Sequence, residues 1–258
     1  MAQYETIRGV GVGARAQIDE GLRAHMNKVY GLMSVAMLIT AAVAWGISGL
    51  TTTTDPSLAV AEIRSGTYLT QFGYTLFASP LKWVIMFLPL VMVFAFGALV
   101  NRLSVASAQL FFYVYAAAMG LSLSWIFIVF TGGSIASTFL VTSISFLALS
   151  LYGYLTKRDL SGMGTFLMMG LVGLIVAMIV NMFLQSEGLA FAIPVIGVLI
   201  FAGLTAYDTQ NIKNTYIQHA VSGDQEWLGK AAIMGALSLY LDFINLFMFL
   251  LQFMGNRE

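Results

Sequence analysis

The chain has 258 residues, of which 59% are hydrophobic and only 9% are charged. An average soluble domain is about 25% charged, and a globule of this composition would expose larger apolar patches than soluble monomers tolerate. The formal net charge is zero and cysteine is absent, which argues against a nucleic-acid partner and excludes disulfides and cysteine-ligated metals. The composition therefore predicts an integral membrane protein whose main partner is the lipid bilayer.

Residues 1–28 mix basic and acidic side chains and lack the apolar core and cleavage site of a signal peptide. We interpret them as a cytosolic N-terminal tail. Residues 29–258 are expected to form a single transmembrane domain, because seven segments have the about 20 apolar residues that a spanning helix needs. These segments are 29–50, 81–100, 107–130, 134–155, 163–184, 189–209 and 231–253. The predicted fold class is an all-α polytopic membrane protein with seven transmembrane helices.

The distribution of lysine and arginine predicts the orientation, since these residues accumulate on the cytoplasmic side. With a cytoplasmic N-terminus, nine of the twelve basic residues lie on that side: Arg8, Arg15, Arg23, Lys28, Arg102, Lys157, Arg158, Lys213 and Lys230. The other side then holds Arg64, Lys82 and Arg257. We therefore predict that the N-terminus is cytoplasmic and the C-terminus is on the opposite side.

Asp242 interrupts the last apolar segment and leaves two topologies open for it. A central Asp costs about 2.5–3.5 kcal/mol on the insertion scale, and each Leu, Ile or Phe returns about 0.3–0.6 kcal/mol. The ten Leu, Ile and Phe residues between 239 and 253 can offset one such cost. The sequence favours a spanning helix over a re-entrant segment.

Two aspartates inside the spans are the strongest candidates for a functional site, because charged residues in lipid-embedded helices are costly. Asp208 ends the sixth span, and Asp242 lies midway along the seventh. Ser238 and Asn245 share a helix face with Asp242, since the three are spaced i, i+4, i+7. We expect this polar stripe to face the bundle interior.

Asn211 lies on the same helix face as Asp208, and Arg102 ends the second span on the same predicted side of the membrane. Arg102 could therefore meet the two aspartates. Two carboxylates in a low-dielectric bundle are not expected both to ionise without a cation between them, so we expect them to titrate as one unit. Such a pair suits a proton sensor, a cation site or a structural clamp.

Three segments of the sequence resemble the Bax inhibitor 1 family, which includes bacterial inner-membrane members. Residues 201–213, FAGLTAYDTQNIK, and 236–247, ALSLYLDFINLF, resemble its two aspartate-centred signatures. Residues 156–161, TKRDLS, resemble the loop before the fifth helix of bacterial members. The resemblance covers nearly the whole chain and implies a location in the bacterial inner membrane, with a periplasmic C-terminus.

The resemblance also implies a fold and an activity. The fold would have two layers of three helices around a central C-terminal helix. The activity would be a pH-sensitive calcium leak, in which Asp208 and Asp242 form the sensor and gate and Arg102 is their partner. Calcium and protons would be permeant ligands, with no resident cofactor and only transient calcium binding at the two aspartates. Because calcium takes six to eight oxygen ligands, further donors are needed, and the candidates are Asn211, Asn245, Ser238 and Tyr207.

Two other functions are alternatives to the leak channel. The first is a non-transporting regulator, such as an inhibitor of a membrane-anchored protease or a partner of another inner-membrane protein, with the N-terminal tail as its contact surface. The second is an intramembrane aspartyl protease, because two membrane aspartates can perform acid–base hydrolysis. Those proteases place Gly-x-Gly before the second aspartate, whereas Leu239, Tyr240 and Leu241 precede Asp242. We therefore predict that the protein is not an enzyme.

Overall fold

Long apolar helices make up most of the computed structural model, which describes residues 2–64, 66–220 and 224–256. Within that described part, seven helices are long and apolar enough to cross a membrane: Ile18–Thr51, Leu81–Arg102, Val105–Val129, Gly132–Leu155, Ser161–Leu184, Glu187–His219 and Gln225–Met254. Each coincides with one of the seven predicted segments. The all-α polytopic membrane fold is therefore confirmed.

The α-helices are numbered in chain order as follows: α1 (Ala2–Thr51), α2 (Gln71–Phe77), α3 (Leu81–Leu99), α4 (Val105–Leu123), α5 (Ile126–Val129), α6 (Gly132–Leu155), α7 (Ser161–Leu184), α8 (Glu187–His219) and α9 (Gln225–Met254). Two short 3-10 helices cover Pro56–Leu58 and Val100–Arg102. The hydroxyl groups of Thr70 and Ser104 accept hydrogen bonds from the first turns of α2 and α4. These are the capping interactions that favour threonine and serine at helix N-termini.

Two helices extend well beyond the apolar segments that predicted them. The backbone is helical from Ala2, so the expected tail is continuous with the first span. Helix α8 continues from residue 209 to His219. Hydropathy marks where a helix leaves lipid, whereas the helix itself ends only where backbone hydrogen bonding stops. Three residues used in the predictions of the tail and the orientation lie outside the described residues: Met1, Arg257 and Glu258.

The polar connection between the first two spans contains a small antiparallel sheet. Strands β1 (Thr52–Thr53), β2 (Ala61–Arg64) and β3 (Thr67–Leu69) pair in the order β1–β3–β2. Gly66 precedes β3 with a φ of 78°, a conformation that glycine adopts without strain. Before β2, hydrogen bonds from Ser57 hold the pKa of Asp55 below its ordinary value. This connection is therefore an ordered element outside the spans.

The contacts divide the chain into two compact units. The first comprises the chain up to Met33 and Ser145–Phe243, and it contains both aspartates. The second comprises Ser34–Ile144 and the chain from Ile244 onward, and it contains the sheet and helices α2 to α5. The predicted single domain over 29–258 stays an expectation.

Of the seven long helices in the described part of the chain, α9 has the largest buried share, and its central position stays an expectation. Helices α6 and α9 are in contact within each unit: the Phe146 and Phe243 rings of the first unit lie 5.4 Å apart, and the Phe139 and Phe247 rings of the second lie 6.3 Å apart. Helix α9 is uninterrupted from Gln225 to Met254. This continuity supports a spanning segment over a re-entrant one, and the two three-helix layers stay an expectation.

Candidate functional site

The structure brings Asp208 of α8 and Asp242 of α9 together. Their carboxyl groups lie within hydrogen-bonding reach of each other, although 34 positions separate them in the sequence. Both residues belong to the same compact unit. The predicted pairing of the two aspartates is therefore a feature of the structure.

The two carboxyl groups differ in their surroundings. Asp242 is only 4% exposed, and its Oδ2 atom is fully enclosed with no hydrogen-bond partner among the residues that the structure describes. Asp208 is half-buried. A buried carboxylate oxygen without a donor is costly unless it carries a proton or meets a cation. The environment of Asp242 therefore suits a group that exchanges a proton or a cation.

One face of α9 is more accessible than the rest of the helix. The half-exposed residues recur every three or four positions, as expected for one face of a helix: Met234, Ser238, Leu241, Asn245 and Met248. The predicted polar residues Ser238 and Asn245 lie on this face. Asp242 lies at its edge and is directed to Asp208. Ser238 and Asn245 are half-exposed and Asp242 is buried, and the orientation of the predicted stripe toward the bundle interior stays an expectation.

Tyr207 and Asn211, the remaining candidate ligands, lie one helical turn apart on α8 and differ in their burial. A Cβ atom added at Gly164 of α7 would overlap the Tyr207 ring, so this ring packs against the α7 backbone. Asn211 is exposed. The role of either residue as a ligand stays a prediction.

Arg102 ends the short 3-10 helix after α3, and its side chain is exposed. It belongs to the second unit, whereas both aspartates belong to the first. Within the described ranges, the structure shows no ion pair of Arg102. Its predicted partnership with the aspartates stays a prediction.

Two polar residues that follow Asp208 attach α8 to the loop between α6 and α7. Gln210 is 5% exposed; its Oε1 accepts from the backbone N–H of Leu160 and its Nε2 donates to the carbonyl of Arg158, both at 2.8 Å. Lys213 Nζ donates to the Tyr154 carbonyl at 2.7 Å. Sequence reasoning missed these roles. The available signal was a glutamine two residues and a lysine five residues after an intramembrane aspartate, on the same helix.

A chain of hydroxyl groups holds α8 against α6 and α1. Ser150 of α6 is hydrogen-bonded to Tyr30 of α1 at 2.5 Å and to Thr209 of α8 at 2.9 Å. The helices approach closely here, since a Cβ added at Gly153 would overlap the Ala206 carbonyl. Small and hydroxyl-bearing residues permit this kind of packing in membranes. The backbone on both sides of Asp208 is thereby anchored.

The surroundings of the two aspartates bear on the predicted calcium binding. No group of three or more His, Asp and Glu residues that could hold a metal ion occurs in the described part of the chain. Two carboxylates fall far short of the six to eight oxygens around a bound calcium ion. Transient calcium binding at the two aspartates therefore stays a prediction.

Comparison with known proteins places the chain in a group of bacterial membrane proteins. The family model described as "Inhibitor of apoptosis-promoting Bax1" matches residues 22–258. The "Inner membrane protein YbhL" of Escherichia coli is 45% identical over 92% of this chain and 94% of its own length. The "Uncharacterized protein RP147" of Rickettsia prowazekii is 45% identical over 93% of this chain and 92% of its own length. The match runs through both aspartate-centred segments.

Proposed function

We propose, given that this chain belongs to the Bax inhibitor 1 family, that it is a pH-sensitive cation leak of the inner membrane that passes calcium. The contact between the buried Asp242 carboxyl and the Asp208 carboxyl carries this proposal. The pair serves as proton sensor and gate. Arg102 is proposed as its cationic partner, and the N-terminus is proposed to be cytoplasmic.

The chemistry of the carboxyl pair supports a link between proton binding and helix contact. An ionised carboxylate only accepts hydrogen bonds, so a hydrogen bond between two carboxyl groups requires a proton. Without that proton, two negative charges about 4 Å apart repel by about 4 kcal/mol at an effective dielectric constant near 20. Loss of the proton therefore favours separation of α8 and α9 or entry of a cation between them.

Protonation has two opposing effects on cation flux. It removes negative charge from the cation site, and it also permits the carboxyl contact between α8 and α9. The proposal is therefore that flux depends on pH between about 5 and 8, and that both aspartates are required. An isolated Asp has a reference pKa near 3.9 and would be ionised throughout that range.

The test is calcium flux through the purified protein in liposomes across a pH series. We expect Asp208→Asn and Asp242→Asn each to flatten the pH profile, because one remaining carboxyl has no acidic neighbour with which to share a proton. Retention of the parental profile by both variants would make the aspartates structural and reject the proposed gate.

Asp159→Asn is the matched control. Asp159 lies in the α6–α7 loop, where hydrogen bonds from Ser161 hold its pKa below the ordinary value. Because the pKa of Asp159 is lower in the folded state than in the unfolded state, ionised Asp159 stabilises the fold at every pH above its unfolded-state pKa. This contribution to stability is lost only when the pH falls through the lower pKa of the folded state. Asp159 is therefore ionised from pH 5 to 8, and its replacement should leave the profile unchanged.

A second candidate function, a non-transporting regulator such as an inhibitor of a membrane-anchored protease, is favoured by the length of α1. Its 50 residues far exceed the about 20 that span a bilayer. Residues 2–17 therefore extend the helix beyond the apolar span and provide a surface for a partner. Deletion of residues 2–17 distinguishes the two functions. The regulator would be supported if the deletion changed the turnover of membrane-protease substrates in cells, in either direction, and left calcium flux in liposomes unchanged.

A further inference from the structure

An open groove of about 460 Å³ lies in the second unit, where the small sheet and α2 meet the ends of α3, α4 and α5. Leu69, Leu76 and Phe77 form the wall on the side of the sheet and α2. Residues of the long helices form the opposite wall: Ile85, Met86, Trp125 and Ile128. This volume lies within the about 300–1,000 Å³ typical of small-molecule sites.

The walls of the groove are apolar, which determines the chemistry of an occupant. Leu76 and Ile85 are nearly fully buried, whereas Met86 and Trp125, which also line the groove, are exposed. Small-molecule sites lined by apolar side chains take predominantly apolar occupants. An acyl chain is the apolar group that surrounds this protein in its membrane. The groove therefore fits one lipid acyl chain.

Among the described residues, the groove lining includes one cation and no acid. Lys82 is exposed and lines the groove, and its Nζ lies 5.4 Å from the centre of the Trp83 ring. In the described part of the chain Lys82 forms no ion pair, and no Asp or Glu lines the groove. A phosphate group would complement this charge.

The groove also lies at one end of an apolar span, where the membrane–water interface is expected. Lys82 is the second residue of the Leu81–Arg102 span, and the sheet outside that span forms one wall. Trp83 and Trp125 both line the groove, and tryptophan is enriched at the membrane–water interface. A lipid phosphate at Lys82 would thus have its acyl chain directed along the apolar walls.

We propose that this groove binds a single anionic phospholipid, with one acyl chain between α2 and α3 and the phosphate at Lys82. The proposal is independent of calcium flux and of the aspartate pair. One Lys near an anionic lipid surface contributes about fivefold in affinity. A phosphatidylglycerol should therefore bind about fivefold more tightly than a phosphatidylcholine of the same acyl composition.

The test uses quenching of tryptophan fluorescence by lipids with brominated acyl chains, added to the full chain in detergent. A Trp45→Phe, Trp227→Phe background leaves Trp83 and Trp125, the two tryptophans that line the groove. We expect saturable quenching at one lipid per chain, with brominated phosphatidylglycerol about fivefold tighter than brominated phosphatidylcholine. Quenching that rises without saturation and equally for both lipids would indicate surrounding lipid only and would overturn the site.

Two variants separate headgroup recognition from acyl-chain binding. Lys82→Gln should remove the preference for phosphatidylglycerol, whereas Lys157→Gln, an exposed lysine of the α6–α7 loop, should keep it. Ser122→Leu places a larger side chain in the groove and should weaken both lipids, whereas Ser143→Leu, outside the groove lining, should weaken neither. If the parent binds both lipids equally and Ser122→Leu abolishes that binding, the groove binds lipid without regard to charge. That result would overturn the assignment to an anionic lipid.

Surface substitution at Lys82 keeps the test valid if Ser122→Leu fails to fold. Lys82 is exposed and pairs with no carboxylate within the described ranges, so Lys82→Gln should elute as the parent does on size-exclusion chromatography. A folded Lys82→Gln protein that retains the fivefold preference would contradict the proposed phosphate contact.

Discussion

The Oε1 atom of Gln210 accepts a hydrogen bond from the backbone N–H of Leu160 at 2.8 Å, two residues along α8 from Asp208. The Nε2 atom of the same side chain donates to the carbonyl of Arg158 at 2.8 Å. One buried amide thus satisfies two backbone groups of the α6–α7 loop. Through this contact, the loop and the position of Asp208 depend on each other.

Gln210→Ala should therefore destabilise the protein and alter its pH response. A buried backbone group left without its partner costs about 1–3 kcal/mol, so a loss of about 2 kcal/mol or more in unfolding free energy is expected. The measurements are thermal unfolding in detergent and the pH profile of calcium flux. The control is Gln218→Ala, which changes an exposed glutamine of the same helix and should leave both unchanged. A destabilised Gln210→Ala protein with the parental pH midpoint would limit Gln210 to a structural role.

Gly153→Ala should disturb the packing of α6 against α8. A Cβ atom at this position would overlap the backbone carbonyl of Ala206, which cannot move without its helix. Overpacking of this kind typically costs about 1–3 kcal/mol, and it should appear as a lower unfolding temperature. In Gly173→Ala of α7, by contrast, the added Cβ has no neighbour within 4 Å among the described residues. That variant should melt at the parental temperature or above it, since alanine favours helices over glycine.

Arg102→Gln tests whether Arg102 neutralises the aspartate pair. Arg102 is exposed, so its replacement should cost at most about 1 kcal/mol of folding free energy. If it neutralises the pair, the two carboxyls without that cation should hold their proton to higher pH, and we expect the pH midpoint of flux to shift upward. Lys157→Gln controls for the loss of one positive charge. An unchanged pH profile in Arg102→Gln would remove Arg102 from the site.

Single cysteines introduced into this cysteine-free chain test its orientation. Asn256→Cys should react with an impermeant thiol reagent in intact spheroplasts, because an odd number of spans places the end of α9 opposite a cytoplasmic N-terminus. Lys157→Cys, in the α6–α7 loop, should react only after lysis. The reverse pattern would invert the proposed orientation, and labelling of both positions only after lysis would contradict a spanning α9.

The sequence by itself determined the seven spans and the two aspartates within them. Apolar length is a local property, so each predicted segment matched a helix long enough to cross a membrane. The motif around Asp208 and the motif around Asp242 were equally visible without a structure. Local hydropathy could not show that α1 begins at Ala2 or that α8 continues to His219, because these helices extend into polar sequence.

Only the tertiary structure decided which side chains meet. It places the Asp208 carboxyl against that of Asp242 and the Tyr207 ring against Gly164. It also assigns the Gln210 amide to the α6–α7 loop. Neighbouring residues on a helix point in directions about 100° apart, so their partners depend on how the helix is rotated about its axis. Close approaches such as that of Gly153 to Ala206 set this rotation, and they involve residues distant in sequence.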